Sequence, residues 1–101
     1  MNKVIEDGMV KVLFSPSYGG GFLTWGAPVE AIFDPKLIEL IEQEKYQEAI
    51  DYVAVTYPEA YTGGVSDLAI GLVPEGVEFM IEEYDGYEGI VLKNDIDWIT
   101  A

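Results

Sequence analysis

The sequence predicts an α+β fold in which one or two helices pack on one face of an antiparallel-rich sheet of three to four strands. Three observations predict this class: a β-hairpin signal in residues 77–92, an apolar strand signal in residues 9–14, and helical spacing of apolar residues after residue 34. The length of 101 residues suits one domain. We therefore expect residues 1–101 to form a single domain, with residues 1–8 as a loose extension or a short edge strand.

The hairpin signal is the Asp85-Gly86 dipeptide between two alternating segments. Aspartate and glycine both tolerate the positive φ angles of a two-residue type I′ turn. A turn at this position sets the register of the hairpin through four cross-strand pairs, namely Tyr84–Tyr87, Glu83–Glu88, Ile81–Ile90 and Phe79–Leu92. The four apolar members of these pairs form a face that must be buried, and we expect it to meet the apolar stripes of the helices. The facing glutamates at the tip repel each other by up to ~1 kcal/mol.

The segments before and after the hairpin complete the predicted fold. Met9–Phe14 is rich in β-branched and large apolar residues and predicts a buried strand, and Leu68–Val73 predicts another. Asp34-Pro35 predicts a helix start, because aspartate caps free amides and proline suits the first helical position. Apolar residues then continue at helical spacing to Tyr57, either as two helices or as one bent helix. Polar and apolar residues alternate in residues 95–99, which predicts a last strand or an edge segment.

The composition excludes several classes of function. The chain has no histidine and no cysteine, so the commonest general base, the thiolate nucleophile and most zinc chemistry are excluded. All five cations are lysines, so no arginine fork can hold a phosphate, and the net charge of −14 repels nucleic acid and anionic membranes. The apolar runs are too short for a membrane span, and no signal peptide is recognisable. We therefore expect a cytoplasmic protein that has no cofactor and does not bind nucleic acid directly.

The second unusual stretch is a glycine-rich loop between aromatic residues, in residues 15–26. Its candidate ligand-binding residues are Ser15, Tyr18, Gly19, Gly20, Gly21 and Trp25. The loop follows a strand, as phosphate-binding loops do, but it lacks the lysine and hydroxyl residue of a P-loop. The sequence leaves two interpretations open: a loop that packs its aromatic side chains on the core, or a contact loop that borders a small-ligand pocket.

The acidic residues near the C-terminus are the other candidate site. Paired carboxylates at the hairpin tip are the minimum for glycoside hydrolysis or for a calcium site, but the chain is short for a sugar cleft and contains no EF-hand pattern. We therefore predict no catalytic residues and no metal site. Amphipathic tyrosines among the acids suit a protein interface instead. The predicted partner-binding residues are Glu82, Glu83, Tyr84, Asp85, Tyr87, Glu88, Asp95 and Asp97.

A family of small uncharacterised acidic proteins from phages and prophages resembles this chain in three segments. These are K-V-L-F-S-P-S-Y-G-G-G-F-L-T-W at residues 11–25, F-D-P-K-L-I-E-L-I-E at residues 33–42 and V-P-E-G-V-E-F-M-I-E-E-Y-D-G at residues 73–86. The resemblance begins near Met9 and runs almost to the end of the chain. It implies a viral or mobile-element origin and a protein directed at the host, and it supplies no reaction and no catalytic residue.

Together these observations predict a non-enzymatic acidic interaction protein, encoded by a phage and active in the host cytoplasm. It would inhibit a basic, nucleic-acid-handling host or anti-phage defence protein by binding its positive surface. CRISPR effectors, restriction enzymes and polymerases all fit that description. Two alternatives stay open: a small-ligand-binding protein with its pocket at the Tyr18–Trp25 loop, and a structural or assembly accessory protein that acts as a homo-oligomer.

Overall fold

A computed structural model describes residues 3–93 and confirms an α+β fold, with two helices and five strands in two antiparallel sheets. The first sheet has the order β1 (Ile5–Glu6), β2 (Met9–Phe14) and β3 (Ala69–Pro74), and the second consists of β4 (Phe79–Tyr84) and β5 (Tyr87–Leu92). The helices are α1 (Pro35–Glu42) and α2 (Tyr46–Thr56), and short 3₁₀ turns cover Leu23–Trp25, Val29–Phe33 and Val65–Asp67. The strand predicted in residues 95–99 lies outside the described residues.

Each sheet contains one hairpin with an Asp-Gly turn of the same kind. Asp85 and Gly86 have φ angles of 53° and 86°, and the β4–β5 pairs are those predicted from the turn position. Asp7 and Gly8 have φ angles of 52° and 76° and join β1 to β2, where Glu6 pairs with Met9. Positive φ at both turn positions is the signature of a type I′ hairpin. Residues 5–6 therefore form an edge strand.

Strand β2 is covered on both of its faces, which explains its nearly continuous apolar sequence. On one face the ammonium of Lys11 contacts the carboxylate of Glu42 at the end of α1 and lies 3.1 Å from that of Glu6. On the other face Val12 pairs with Gly71 of β3, and the side chain of Ile90 from β5 occupies the space that a side chain at residue 71 would fill. The end of α1 and the hairpin thus contact β2 from opposite faces.

The placement of the hairpin differs from the prediction. Its apolar residues Phe79, Ile81, Ile90 and Leu92 are half-buried against the core, as expected. However, β4 and β5 pack mainly on the Leu23–Trp25 turn and on β2 rather than on α1 and α2. The physical reason is the missing side chain at Gly71, which opens the sheet face to Ile90.

Helix α1 begins and ends through specific backbone contacts. Asp34 caps its start, as predicted, because Oδ1 accepts the amides of Lys36 at 2.9 Å and Leu37 at 3.2 Å. At the other end Glu44 takes a left-handed φ of 56°, and Lys45 donates its amide to the Leu40 carbonyl at 2.9 Å. The apolar stripe is therefore carried by two separate helices. Within residues 3–93 no helix has the length and apolarity needed to cross a membrane.

The capping aspartate also ties α1 to Tyr52 of α2 and to Tyr57, the residue that follows α2. Asp34 Oδ2 accepts the hydroxyl of Tyr52 at 2.7 Å and the hydroxyl of Tyr57. Burial, together with the bond to this carboxylate, raises the pKa of Tyr52 from 10.0 to about 12 and raises the pKa of Tyr57 as well. Hydrogen bonds to Glu42 and Glu6 also raise the pKa of Lys11.

We expect these groups to make the fold sensitive to alkali. The unfolded chain loses the tyrosine protons near pH 10.0 whereas the folded chain keeps that of Tyr52 to about pH 12, so the free energy of unfolding falls as the pH rises through that interval. Chemical denaturation at a series of pH values measures this slope. In the double variant Tyr52→Phe/Tyr57→Phe we expect a shallower slope. The raised pKa of Lys11 accounts for the slope that remains. An unchanged slope would contradict the assignment to the two tyrosines.

Candidate interaction surface

The side chain of Glu88 is fully buried and is held by the glycine-rich loop. Its Oε1 accepts the amide of Ser15 at 2.9 Å, and its Oε2 accepts the amides of Phe22 at 3.0 Å and Thr24 at 2.9 Å. The hydroxyl of Thr24 donates to Oε2 at 2.7 Å. The prediction that Glu88 contacts a partner is therefore wrong, because no part of this residue is open to a partner in the folded protein.

The strand register explains the burial of Glu88. Side chains alternate between the faces of a strand, so Glu88 shares the inner face of β5 with the core-facing Ile90. Burying a carboxylate costs several kcal/mol, and hydrogen bonds to a charged acceptor contribute about 1.5–3 kcal/mol each. Within residues 3–93 all four hydrogen bonds to the Glu88 side chain come from neutral donors, so an acceptor-only carboxylate suits the site and these donors offset its desolvation.

Glu83 faces Glu88 across the hairpin, but its surroundings are different. Its Oε2 accepts the indole N–H of Trp25 at 3.1 Å and the amide of Gly86 at 2.8 Å, and the residue stays exposed. The repulsion predicted between the two glutamates is thus offset by donors on each side. Glu83 lies at the boundary between the buried face and solvent.

The hairpin tip docks directly onto the backbone of the loop. Gly19 donates its amide to the carbonyl of Asp85 at 2.7 Å, and Glu88 donates its own amide to the carbonyl of Ser15 at 2.8 Å. A Cβ atom at Gly86 would lie 2.8 Å from the nitrogen of Gly20 and 2.9 Å from that of Gly19. Glycine is required at the tip for this close approach as well as for the turn.

In this arrangement three amides of the glycine-rich loop are occupied by the protein itself. The amide of Ser15 binds Glu88, the amide of Gly19 binds Asp85, and the amide of Gly20 binds the Ser17 carbonyl at 3.0 Å. Packing accounts for Gly21 and Trp25, because a Cβ atom at Gly21 would lie 2.6 Å from the indole of Trp25, whereas Tyr18 is exposed. These contacts favour the packing interpretation of the loop.

The outer face of the hairpin carries exposed aromatic side chains. Tyr84 is 77% exposed and pairs across the turn with Tyr87, which is 42% exposed. Tyr18 from the glycine-rich loop is 69% exposed, and its ring centroid lies 4.9 Å from that of Tyr87. The loop therefore extends the aromatic surface of the hairpin by one ring. Large exposed tyrosines grouped in this way are typical of protein interfaces.

Carboxylates surround these tyrosines. Glu82 projects from the outer face of β4, whereas Glu83 and Asp85 lie at the tip, and all of these residues are exposed. Within the described residues the hairpin forms an ion pair between the Lys93 ammonium and the Glu78 carboxylate, 2.9 Å apart. This pair lies at the end of the hairpin away from the turn. We call the set Tyr18, Glu82, Glu83, Tyr84, Asp85 and Tyr87 the outer hairpin surface.

The predicted partner-binding residues thus separate into three groups. Glu82, Glu83, Tyr84, Asp85 and Tyr87 lie together on the outer hairpin surface. Glu88 lies inside, and Asp95 and Asp97 lie outside the described residues. Tyr18 belongs to the aromatic surface although the sequence suggested it only for the ligand loop. The alternation along β5 was the available signal for Glu88, because it places that residue on the face of Ile90.

We expect Glu88→Gln to lower the free energy of unfolding by about 2–4 kcal/mol, because the amide group must turn its N–H₂ toward a backbone donor in either orientation. Urea denaturation monitored by tryptophan fluorescence measures this loss.

The matched control is Glu83→Gln, at the facing position. Its amide oxygen can still accept from Trp25 and Gly86, so we expect a loss below about 1 kcal/mol. Equal losses in the two variants would contradict the role given to the buried carboxylate.

Comparisons with known proteins leave the function to be argued from the geometry alone. No family model, no curated protein and no solved structure matches this chain.

Proposed function

We propose that this chain is a non-enzymatic, phage-type interaction protein that binds a basic, nucleic-acid-handling protein and blocks its positive surface. The outer hairpin surface carries the proposal, because exposed tyrosines lie there among carboxylates that form no ion pair within residues 3–93. The tyrosines supply short-range contact area, and the carboxylates supply complementarity to a cationic surface.

The charge of the rest of the molecule supports the same interpretation. Every carboxylate in residues 3–93 except those of Asp34 and Glu88 belongs to an exposed residue. A small domain needs a net charge of only ~2–8 for solubility, whereas this chain carries −14. Acids on α1 and α2 lie away from the hairpin and add to a long-range field that accelerates encounters with basic proteins. The aromatic surface then decides where contact is made.

The rigidity of the surface also supports a binding role. Tyr18 is on the loop and Tyr87 is on β5, and the buried Glu88 carboxylate holds these two elements together. A surface fixed before binding loses less conformational entropy when a partner arrives. We therefore assign Glu88 a positioning role beneath the interface.

The test is a pull-down from bacterial lysate that compares the immobilised native protein with an immobilised double variant. The double variant combines Glu82→Lys with Asp85→Asn. Asparagine tolerates the positive φ of residue 85, so the turn is preserved. We expect the native protein to retain a basic nucleic-acid-binding protein at low salt and to release it near roughly 0.5 M salt, where screening is nearly complete. We expect the variant to bind that protein about tenfold more weakly, a loss of roughly 1.4 kcal/mol.

The control variant combines Glu75→Lys with Asp7→Asn. It makes the same change in charge, uses the same kind of turn, and lies at the end of the β2–β3 ladder far from the glycine-rich loop. We expect it to retain the partner almost as well as the native protein. Equal losses in both variants would mean that only net charge matters, and full capture by the hairpin variant would contradict the proposed surface.

A competition experiment tests inhibition separately from binding. Excess DNA or RNA should displace this protein from the captured partner if both occupy the same positive surface. A ternary complex that contains all three components would contradict the proposed mode of inhibition.

A further inference from the structure

A shallow groove crosses the outer hairpin surface above Gly89. Gly89 pairs with Glu82 across the ladder, and the groove is lined by Glu82, Glu83, Tyr84, Tyr87 and Gly89. A Cβ atom at residue 89 would meet only the Cγ of Glu82, at 4.0 Å, so the space over this glycine is open. Glycine inside a strand weakens it and often marks a place where another group approaches closely.

The walls of this groove differ in chemistry and complement one kind of side chain. Tyr84 and Tyr87 offer aromatic rings, and Glu82 offers a carboxylate that forms no ion pair within residues 3–93. A planar guanidinium can stack on a tyrosine ring and donate two parallel hydrogen bonds to a carboxylate at the same time. An ammonium is a compact, strongly hydrated charge that makes the second contact without the planar stacking. Anionic groups are repelled by the surrounding acids.

We infer that the groove above Gly89 takes an arginine side chain of the basic partner, with its guanidinium against the tyrosines and bonded to Glu82. This inference rests on the proposed function and names the group through which the partner is recognised. The charge of the surface attracts any cation, whereas the tyrosine rings beside the open space at Gly89 favour the planar guanidinium, which can stack on them.

The experiment compares two synthetic peptides of equal length and charge, one with arginines and the other with lysines at the same positions. Isothermal titration at low salt measures the affinity of each peptide for the native protein. We expect the arginine peptide to bind about twofold to fivefold more tightly, the range that exposed cation–π contacts produce.

Gly89→Val fills the groove without any change in charge, and the strand tolerates valine because the new Cβ has ordinary contacts. We expect this variant to bind both peptides equally, at the affinity of the lysine peptide.

A second pair of variants keeps the test independent of residue 89. Tyr84→Phe should keep the preference for arginine and Tyr84→Leu should lose it, since residue 84 is largely exposed and tolerates both changes.

Each outcome decides the inference. A preference for arginine that disappears in Gly89→Val and Tyr84→Leu supports it. Equal binding of the two peptides by the native protein, or a preference that survives in Gly89→Val, overturns it and leaves the proposed function standing. Failure of both peptides to bind overturns the inference, and failure to capture any basic protein from lysate overturns the proposed function as well.

Discussion

The fold depends on the buried carboxylate of Glu88, whose hydrogen-bond partners within residues 3–93 are all neutral. Glu88 lies on the inner face of β5, and its two oxygens accept the amides of Ser15, Phe22 and Thr24 and the hydroxyl of Thr24. A loop with three consecutive glycines has a large conformational entropy to lose, and these bonds give it one conformation. A positive side chain could not replace this arrangement, because it would leave the same backbone donors without an acceptor.

This constraint links the fold to the proposed interface. By fixing the loop against β5, Glu88 brings Tyr18 beside Tyr87 and places the indole of Trp25 on Glu83. Side chains alternate between the two faces of β5, so Glu88, which holds the loop, points inward and Tyr87 points outward. The acids of the hairpin therefore have different roles: Glu88 stabilises the loop, Glu83 lies at the boundary, and Glu82 and Asp85 are presented to solvent.

Much of the fold could be predicted where a local rule decides the structure. The Asp85-Gly86 turn set the whole register of the hairpin, and Asp34 capped its helix as expected. The same turn rule applies at Asp7-Gly8. Strand β1 has only two residues, so its sequence shows too little alternation of polar and apolar residues to indicate a hairpin there. The break at Glu44 had no local signal, since glutamate rarely takes a positive φ. The donors around Glu88 could not be predicted, because they come from a loop 64 to 73 residues away in sequence.

The most direct measurement is the hydrogen exchange of backbone amides in the native protein, residue by residue, by NMR. If the buried carboxylate holds the loop, the amides of Ser15, Phe22 and Thr24 should be as strongly protected as those in the β4–β5 ladder, and should exchange through the same opening. Exchange of these three amides at the rates of an unstructured chain, while the ladder stays protected, would contradict the account.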